Sequence, residues 1–237
     1  MLVVTPEPLY GRIGAVLSAL IVVFCIIGLT MHKDFYAGKE RKSFFCFYTN
    51  LSNLKVFMYF TLTAPWLYAR PALRILIPHA EFSLMMSIML TFSVFHLLLF
   101  PSVRIALKKA CHTREFFIAC IDNFIVHYLV PWLVFLYWLL CSPGKAELGL
   151  MDVFLWTIFP ITYLIITFVR AAKGKIIEET ASPYPYPFLD IQALGKVPVQ
   201  RACLMLYGVC IAAGLGIILT ARFFFALFGI GHPLVLI

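Results

Sequence analysis

The stretch FSLMMSIMLTFSVFHLLLFPSV, residues 82–103, runs twenty-two positions without an Asp, Glu, Lys or Arg. A helix needs ~20 predominantly apolar residues to cross the hydrocarbon of a bilayer, so this segment is a candidate span. Residues 13–32 and 202–221 are equally free of charge, 43–69 carries only Lys55, 116–144 carries only Asp122, and 153–169 is short but clean. The predicted architecture is an all-α polytopic membrane protein. It forms one domain over residues 1–237, with six transmembrane helices in one bundle at about 11–32, 43–69, 80–101, 116–141, 152–170 and 201–229. Spans of that length use about half the chain and leave no room for a soluble catalytic or binding domain.

Composition agrees. The chain is 62% apolar and 13% charged, whereas soluble domains carry roughly a quarter charged residues. A water-soluble globule, a disordered chain and a secreted disulfide scaffold are excluded. The cysteines (Cys25, Cys46, Cys111, Cys120, Cys141, Cys203, Cys210) form no CxxC pair and fall mostly in spans, so they read as small packing residues. The first apolar segment has one early basic residue, Arg12, and no small-residue cleavage site before Lys33, so it reads as a retained span.

The net charge of +8 is unevenly distributed. Four basic residues (Lys33, Lys39, Arg41, Lys42) lie between the first two spans and four (Arg104, Lys108, Lys109, Arg114) between the third and fourth. Five (Arg170, Lys173, Lys175, Lys196, Arg201) lie between the fifth and sixth, against two in 70–81 and only Lys145 in 141–151. The positive-inside rule places these odd loops in the cytoplasm, with both termini and the even loops outside. Basicity therefore requires no nucleic-acid partner.

The connection from about 171 to 200 contains Tyr184-Pro185-Tyr186-Pro187-Phe188-Leu189-Asp190. Alternating prolines favour extended backbone and prevent a helix, which predicts an ordered strap carrying aromatics to the membrane interface; a plain linker is the alternative. No internal repeat relates the two halves, which weakens a transporter reading.

Polar side chains within spans are the informative minority, because an ionisable group near the bilayer centre costs at least ~2.5–3.5 kcal/mol. The second span includes Thr49, Asn50, Ser52, Asn53 and Lys55. At 100° per residue Thr49, Ser52 and Asn53 share a face, with Lys55 on its flank. Hydrogen-bonding between helices would by itself explain such a face. In the fourth span Cys120, Asn123, His127 and Pro131 share a face, while Asp122 points about 140° away from His127. Asn123 rather than Asp122 is therefore expected to orient the imidazole, Pro131 to bend the helix beside it, and Asp122 to form a buried ion pair with Lys55. A satisfied structural histidine is the alternative. His96 is placed near a span end, and His79 with Glu81 in an outer loop. His79, His96, His127 and Asp122 lack HxxxH or HExxH spacing, and there is no GxSxG and no P-loop, so neither metal nor cofactor is expected.

The string Phe47-Tyr48-Thr49-Asn50-Leu51-Ser52-Asn53, the string from Asn123 to Pro131 and the late Tyr-Pro-Phe-Leu-Asp of 186–190 resemble the androgen-induced-gene family of six-span membrane proteins. That family includes the androgen-dependent tissue-factor-pathway regulator and bacterial homologues. The resemblance implies an intramembrane threonine hydrolase that cleaves fatty acid esters of hydroxy fatty acids, with Thr49 as nucleophile and His127 as base. A bacterial cell membrane is the implied location. The spacing from His127 to Pro131 is shorter than in the animal members.

Such chemistry is consistent with the residues. A threonine hydroxyl needs an adjacent base, histidine is the usual one, and amides such as Asn50, Asn53 or Asn123 could donate to an oxyanion. Counting ~1.5 Å per residue from the expected span starts puts Thr49 one to two turns shallower than His127. The competing readings are a small transporter or channel with a polar path through Thr49, Asn53, Lys55, Asp122 and His127, and a non-catalytic adaptor whose basic loops bind anionic lipid. A lipid substrate and the membrane are the expected partners; the oligomeric state is left open.

Overall fold

The computed structural model of the chain describes residues 7–32, 43–100 and 120–228. Cys111 and the basic residues of 33–42 and 104–114 lie outside the described residues. Within them the chain is helical apart from turns and one isolated bridge between Ile177 and Ser182.

Helix α1 is Glu7–His32. Helix α2, Tyr48–Met58, continues through a π-helical turn, Tyr59–Thr63, into α3, Ala64–Tyr68. A 3-10 segment, Pro71–Leu76, leads into α4, Ile77–Val94, which widens at Phe95–Leu99. A wide turn at Ile125–Leu129 precedes α5, Val130–Cys141. Then come α6 at Leu150–Leu155, α7 at Ile158–Ala172, the one-turn α8 at Ile191–Leu194 and the long α9 at Lys196–Phe228.

Five helical stretches are long and apolar enough to cross a membrane, Gly11–Met31, Pro71–Leu99, Cys120–Cys141, Leu150–Ala172 and Lys196–Phe223, and they mark an integral membrane protein. The stretch 48–68 is long enough, but the polar side chains Thr49, Asn50, Ser52, Asn53 and Lys55 leave it outside that group.

Each π turn ends two residues before a proline in the sequence, Pro65, Pro101 and Pro131. A proline has no amide to give to the carbonyl four residues back and its ring collides with that carbonyl. One extra residue in the turn relieves the collision, and the Val130 amide bonds Ile125 instead. The bend expected beside His127 is this widened turn.

Helix α1 packs on α5 and α2, and α4 packs on α5 and α2. Val56, Phe82, Met85, Ile88 and Val130 are buried between them. Close approach is possible at Gly28, where a Cβ would stand 2.7 Å from Val126 and 2.9 Å from Ile125. Small residues are the usual means of bringing membrane helices together, since lipid offers no hydrophobic drive between them. On the other side, α9 contacts α6 and the strap. A second buried cluster joins Tyr48, Tyr163, Tyr184, Tyr186 and Leu189.

The loop expected at 70–81 is largely helical. Pro71 and Pro78 sit in first turns, where a missing amide costs nothing. Glu81 therefore falls inside α4, 2% exposed, rather than in an outer loop. Its Oε1 accepts from the hydroxyls of Tyr59 (2.9 Å), Tyr137 (3.2 Å) and Tyr68 (3.4 Å). His79 lies two residues earlier and pairs with Asp152 at 2.7 Å.

Candidate active site

Helix α2 starts inside the protein. Its first residues, Tyr48, Thr49 and Asn50, are all buried, and the residue before them, Phe47, offers no capping side chain. The first amides of a helix have no partner within it. Here the hydroxyl of Tyr186, far along the chain in the strap, accepts from the Tyr48 amide at 2.9 Å and the Thr49 amide at 3.4 Å.

The strap that delivers Tyr186 is tied along its length. Arg170 donates to the carbonyls of Lys175 (3.0 Å) and Pro183. Ser182 donates to Asp190 at 2.7 Å, and Asp190 caps α8 through the amides of Gln192 (2.9 Å) and Ala193 (3.0 Å). These donors hold the Asp190 carboxyl below its ordinary value, Ser182 first. The Tyr186 and Phe188 rings stack at 5.5 Å, Ser43 donates to Glu179, and Tyr163 donates to the Cys46 carbonyl at 2.8 Å. The strap is thus ordered, and its aromatics cover the start of α2.

Thr49 and His127 meet. The hydroxyl Oγ1 and imidazole Nε2 are 3.1 Å apart, and Nδ1 lies 3.1 Å from the Asn123 carbonyl. A carbonyl only accepts, so Nδ1 carries the proton and Nε2 is left to accept from Thr49. Phe95 stacks on the imidazole with ring centroids 3.8 Å apart. The offset in depth counted from sequence is absent because a helix start is not a membrane boundary: α2 begins beneath the strap.

Thr49 lines a half-open cavity with apolar walls from Leu90, Val94, Phe95, Leu99, Leu164, Phe188, Leu189 and Leu206. Thr49, Thr91, Tyr48, Tyr163 and Tyr186 also border it, and the surface exposed to the cavity is apolar.

The other residues singled out from sequence are placed as follows. Asn53, fully buried, donates to the carbonyls of Thr49 (2.8 Å) and Val126 (3.1 Å). Asn50 donates to Phe44 at 2.8 Å. Ser52 donates to the Thr49 carbonyl at 3.0 Å and shares a 2.7 Å bond with Thr91. These side chains tie α2 to its neighbours, and the Asn50 and Asn53 amide nitrogens are spent on carbonyls rather than aimed into the cavity. Asn123 acts through its carbonyl on His127.

The expected Lys55–Asp122 ion pair is not formed. Lys55 Nζ bonds Ser87 Oγ (2.9 Å), Ser83 Oγ (3.3 Å) and the Ser83 carbonyl (3.4 Å), and lies over the Phe159 ring. Asn53 faces the turn carrying His127, so Lys55, two residues and about 200° further round, faces away from it. Asp122 is buried elsewhere on the fourth span. The histidines have separate partners: His79 has Asp152, His96 has Tyr128 at 3.0 Å, and His127 has Thr49.

Sequence reasoning missed Tyr186 and Glu81. The tyrosine and proline alternation was the signal for the first, since fixed extended backbone positions a ring well. Compared with known proteins, the chain matches no family model, no curated sequence and no solved structure.

Proposed function

We propose that this protein is an intramembrane threonine hydrolase that cleaves a lipid ester. The observation that carries the reading is the 3.1 Å contact between Thr49 Oγ1 and the unprotonated Nε2 of His127, at the wall of an apolar cavity. Thr49 attacks the acyl carbon as His127 takes its proton, giving an acyl-threonine after the alcohol leaves; water then releases the acid. The Asn123 carbonyl keeps the imidazole in the tautomer that can accept, and the face of Phe95 favours the imidazolium that forms. Hydrocarbon walls select an acyl chain, and an ester of a long-chain hydroxy fatty acid, as the family resemblance implies, is the substrate to try first. In this reading the stretch 48–68 is a sixth span of one bundle, made polar by its chemistry. The site then lies near the cytoplasmic end, where the basic loops gather.

A fluorophosphonate probe tests this, because it labels only an activated hydroxyl. Label is expected on the peptide containing Thr49 and is expected to vanish in Thr49→Ala and in His127→Ala, with thermal stability near wild type. The double variant is expected to be no worse than either single one, as for groups acting as a unit. Labelling or hydrolysis that survives Thr49→Ala overturns the reading.

The competing reading, a polar path through the membrane, draws on the row Glu81, Lys55 with Ser87, Ser52 with Thr91, and Thr49 with His127 along α4. A folded wild type with neither label nor esterase activity would favour it.

A further inference from the structure

The catalytic pair leaves one requirement unmet. Attack by Thr49 turns the ester carbonyl oxygen into an oxyanion, and an apolar cavity must supply a donor for it. Of the amides at the start of α2, those of Tyr48 and Thr49 are given to Tyr186. The amides of Asn50 and Asn53 are bonded to carbonyls. Tyr186 lines the cavity together with Thr49, and its phenol oxygen lies 3.4 Å from the Thr49 amide nitrogen.

A phenol oxygen has two lone pairs and one proton. Both lone pairs of Tyr186 are engaged by amides at the positive end of α2, so its hydroxyl proton is the part left to donate. We infer that Tyr186 is the oxyanion donor of this site, an inference that rests on the threonine-hydrolase reading. In the resting protein its hydroxyl lies against those of Thr49 and Tyr163. When the Thr49 oxygen bonds the acyl carbon and its proton moves to His127, the carbonyl π electrons go to the carbonyl oxygen, and the Tyr186 O–H turns to that oxygen. Collapse restores the carbonyl and breaks the bond to the alcohol, which takes the proton from His127. Tyr186 lends its proton throughout and never loses it. Two amides pulling on the phenol oxygen polarise the O–H, relaying the helix dipole to the oxyanion. Burial raises the phenol above its ordinary value and outweighs the amides that pull it back, so it stays protonated at neutral pH. The titratable groups nearest it are the phenols of Tyr48 and Tyr163, with His127 behind Thr49.

The test compares full-length wild type and Tyr186→Phe on a nitrophenyl ester and an alkyl ester of the same fatty acid. An oxyanion donor serves both leaving groups alike, so kcat is expected to fall about 100-fold on both with KM unchanged. A kcat within a few-fold of wild type overturns the inference and leaves the hydrolase reading standing. Absence of Thr49-dependent hydrolysis in the wild type overturns both. If Tyr186→Phe fails to fold, Tyr186→3,5-difluorotyrosine keeps the ring and the cap but makes a more acidic phenol. The alkaline limb of the rate profile is then expected to move to lower pH; an unmoved limb means Tyr186 only caps α2 and overturns the inference.

Discussion

At the scale of single residues, the Thr49 hydroxyl does not act alone in space. Its β-methyl limits rotation, and its own carbonyl is held by Ser52 and Asn53. A serine at the same place keeps the hydroxyl but frees its rotamer. Thr49→Ser is therefore expected to retain measurable hydrolysis at reduced rate, and Thr49→Val none; steady-state kinetics on one ester distinguishes them. Ser52 faces Thr91 and the Thr49 carbonyl rather than the reacting atoms, so Ser52→Ala is expected to cost about 1 kcal/mol in stability and only a few-fold in kcat. Lys55 and Asp122 do not touch each other, and sites without shared partners usually add. A Lys55→Met, Asp122→Leu cycle is accordingly expected to be additive in thermal melts, where coupling would restore the ion pair to the structure.

Between elements, two contacts fix the bundle where the site needs it. Gly28 lets α1 approach the widened turn that carries His127. A methyl there meets β-branched side chains that cannot swing aside, so Gly28→Ala is expected to cost about 1–3 kcal/mol and to slow hydrolysis by displacing the imidazole. Glu81 gathers tyrosines from α3, α5 and the turn after α2. Glu81→Leu strips all three hydroxyls of their acceptor and is expected to destabilise by about 3 kcal/mol or more, read as a fall in Tm in detergent. The carboxyl of Asp190 binds the strap to α8, and its native value lies below that of the unfolded chain. Its contribution is therefore present above the unfolded value of ~3.9 and lost as pH falls through the lower native one. What was legible in the sequence follows the same physics. The polar faces that hold Thr49 and His127 stood out because polar groups in hydrocarbon need a reason, while the pairing of these two residues came from the family resemblance. Glu81 was hidden because Pro71 and Pro78 read as breakers when they are helix starters, and Tyr186 because a Tyr-Pro alternation also describes an interfacial anchor. The partner of Lys55 was misjudged because rotation round α2 decides it, not depth.

Over the whole molecule, the chain's two kinds of order run against each other. The positive-inside rule predicts the odd loops on one side, and the start of α2, just after the first of them, meets the strap, which lies in the last. Tags at either terminus are therefore expected to be reachable from outside intact cells, and cysteines introduced in 33–42 and 104–114 only from the cytoplasm; protected termini would reverse the topology. The same meeting sets a schedule for synthesis. Tyr186 follows Tyr48 by 138 residues, roughly ten seconds of translation at ordinary ribosomal speeds. Until it arrives, the buried amides of Tyr48 and Thr49 have no hydroxyl to bond, and α2 has no settled beginning. Under the hydrolase reading proposed above, the chain is expected to be silent toward the lipids around it while it is being made, and to acquire its chemistry only as the last helix is about to enter the bilayer.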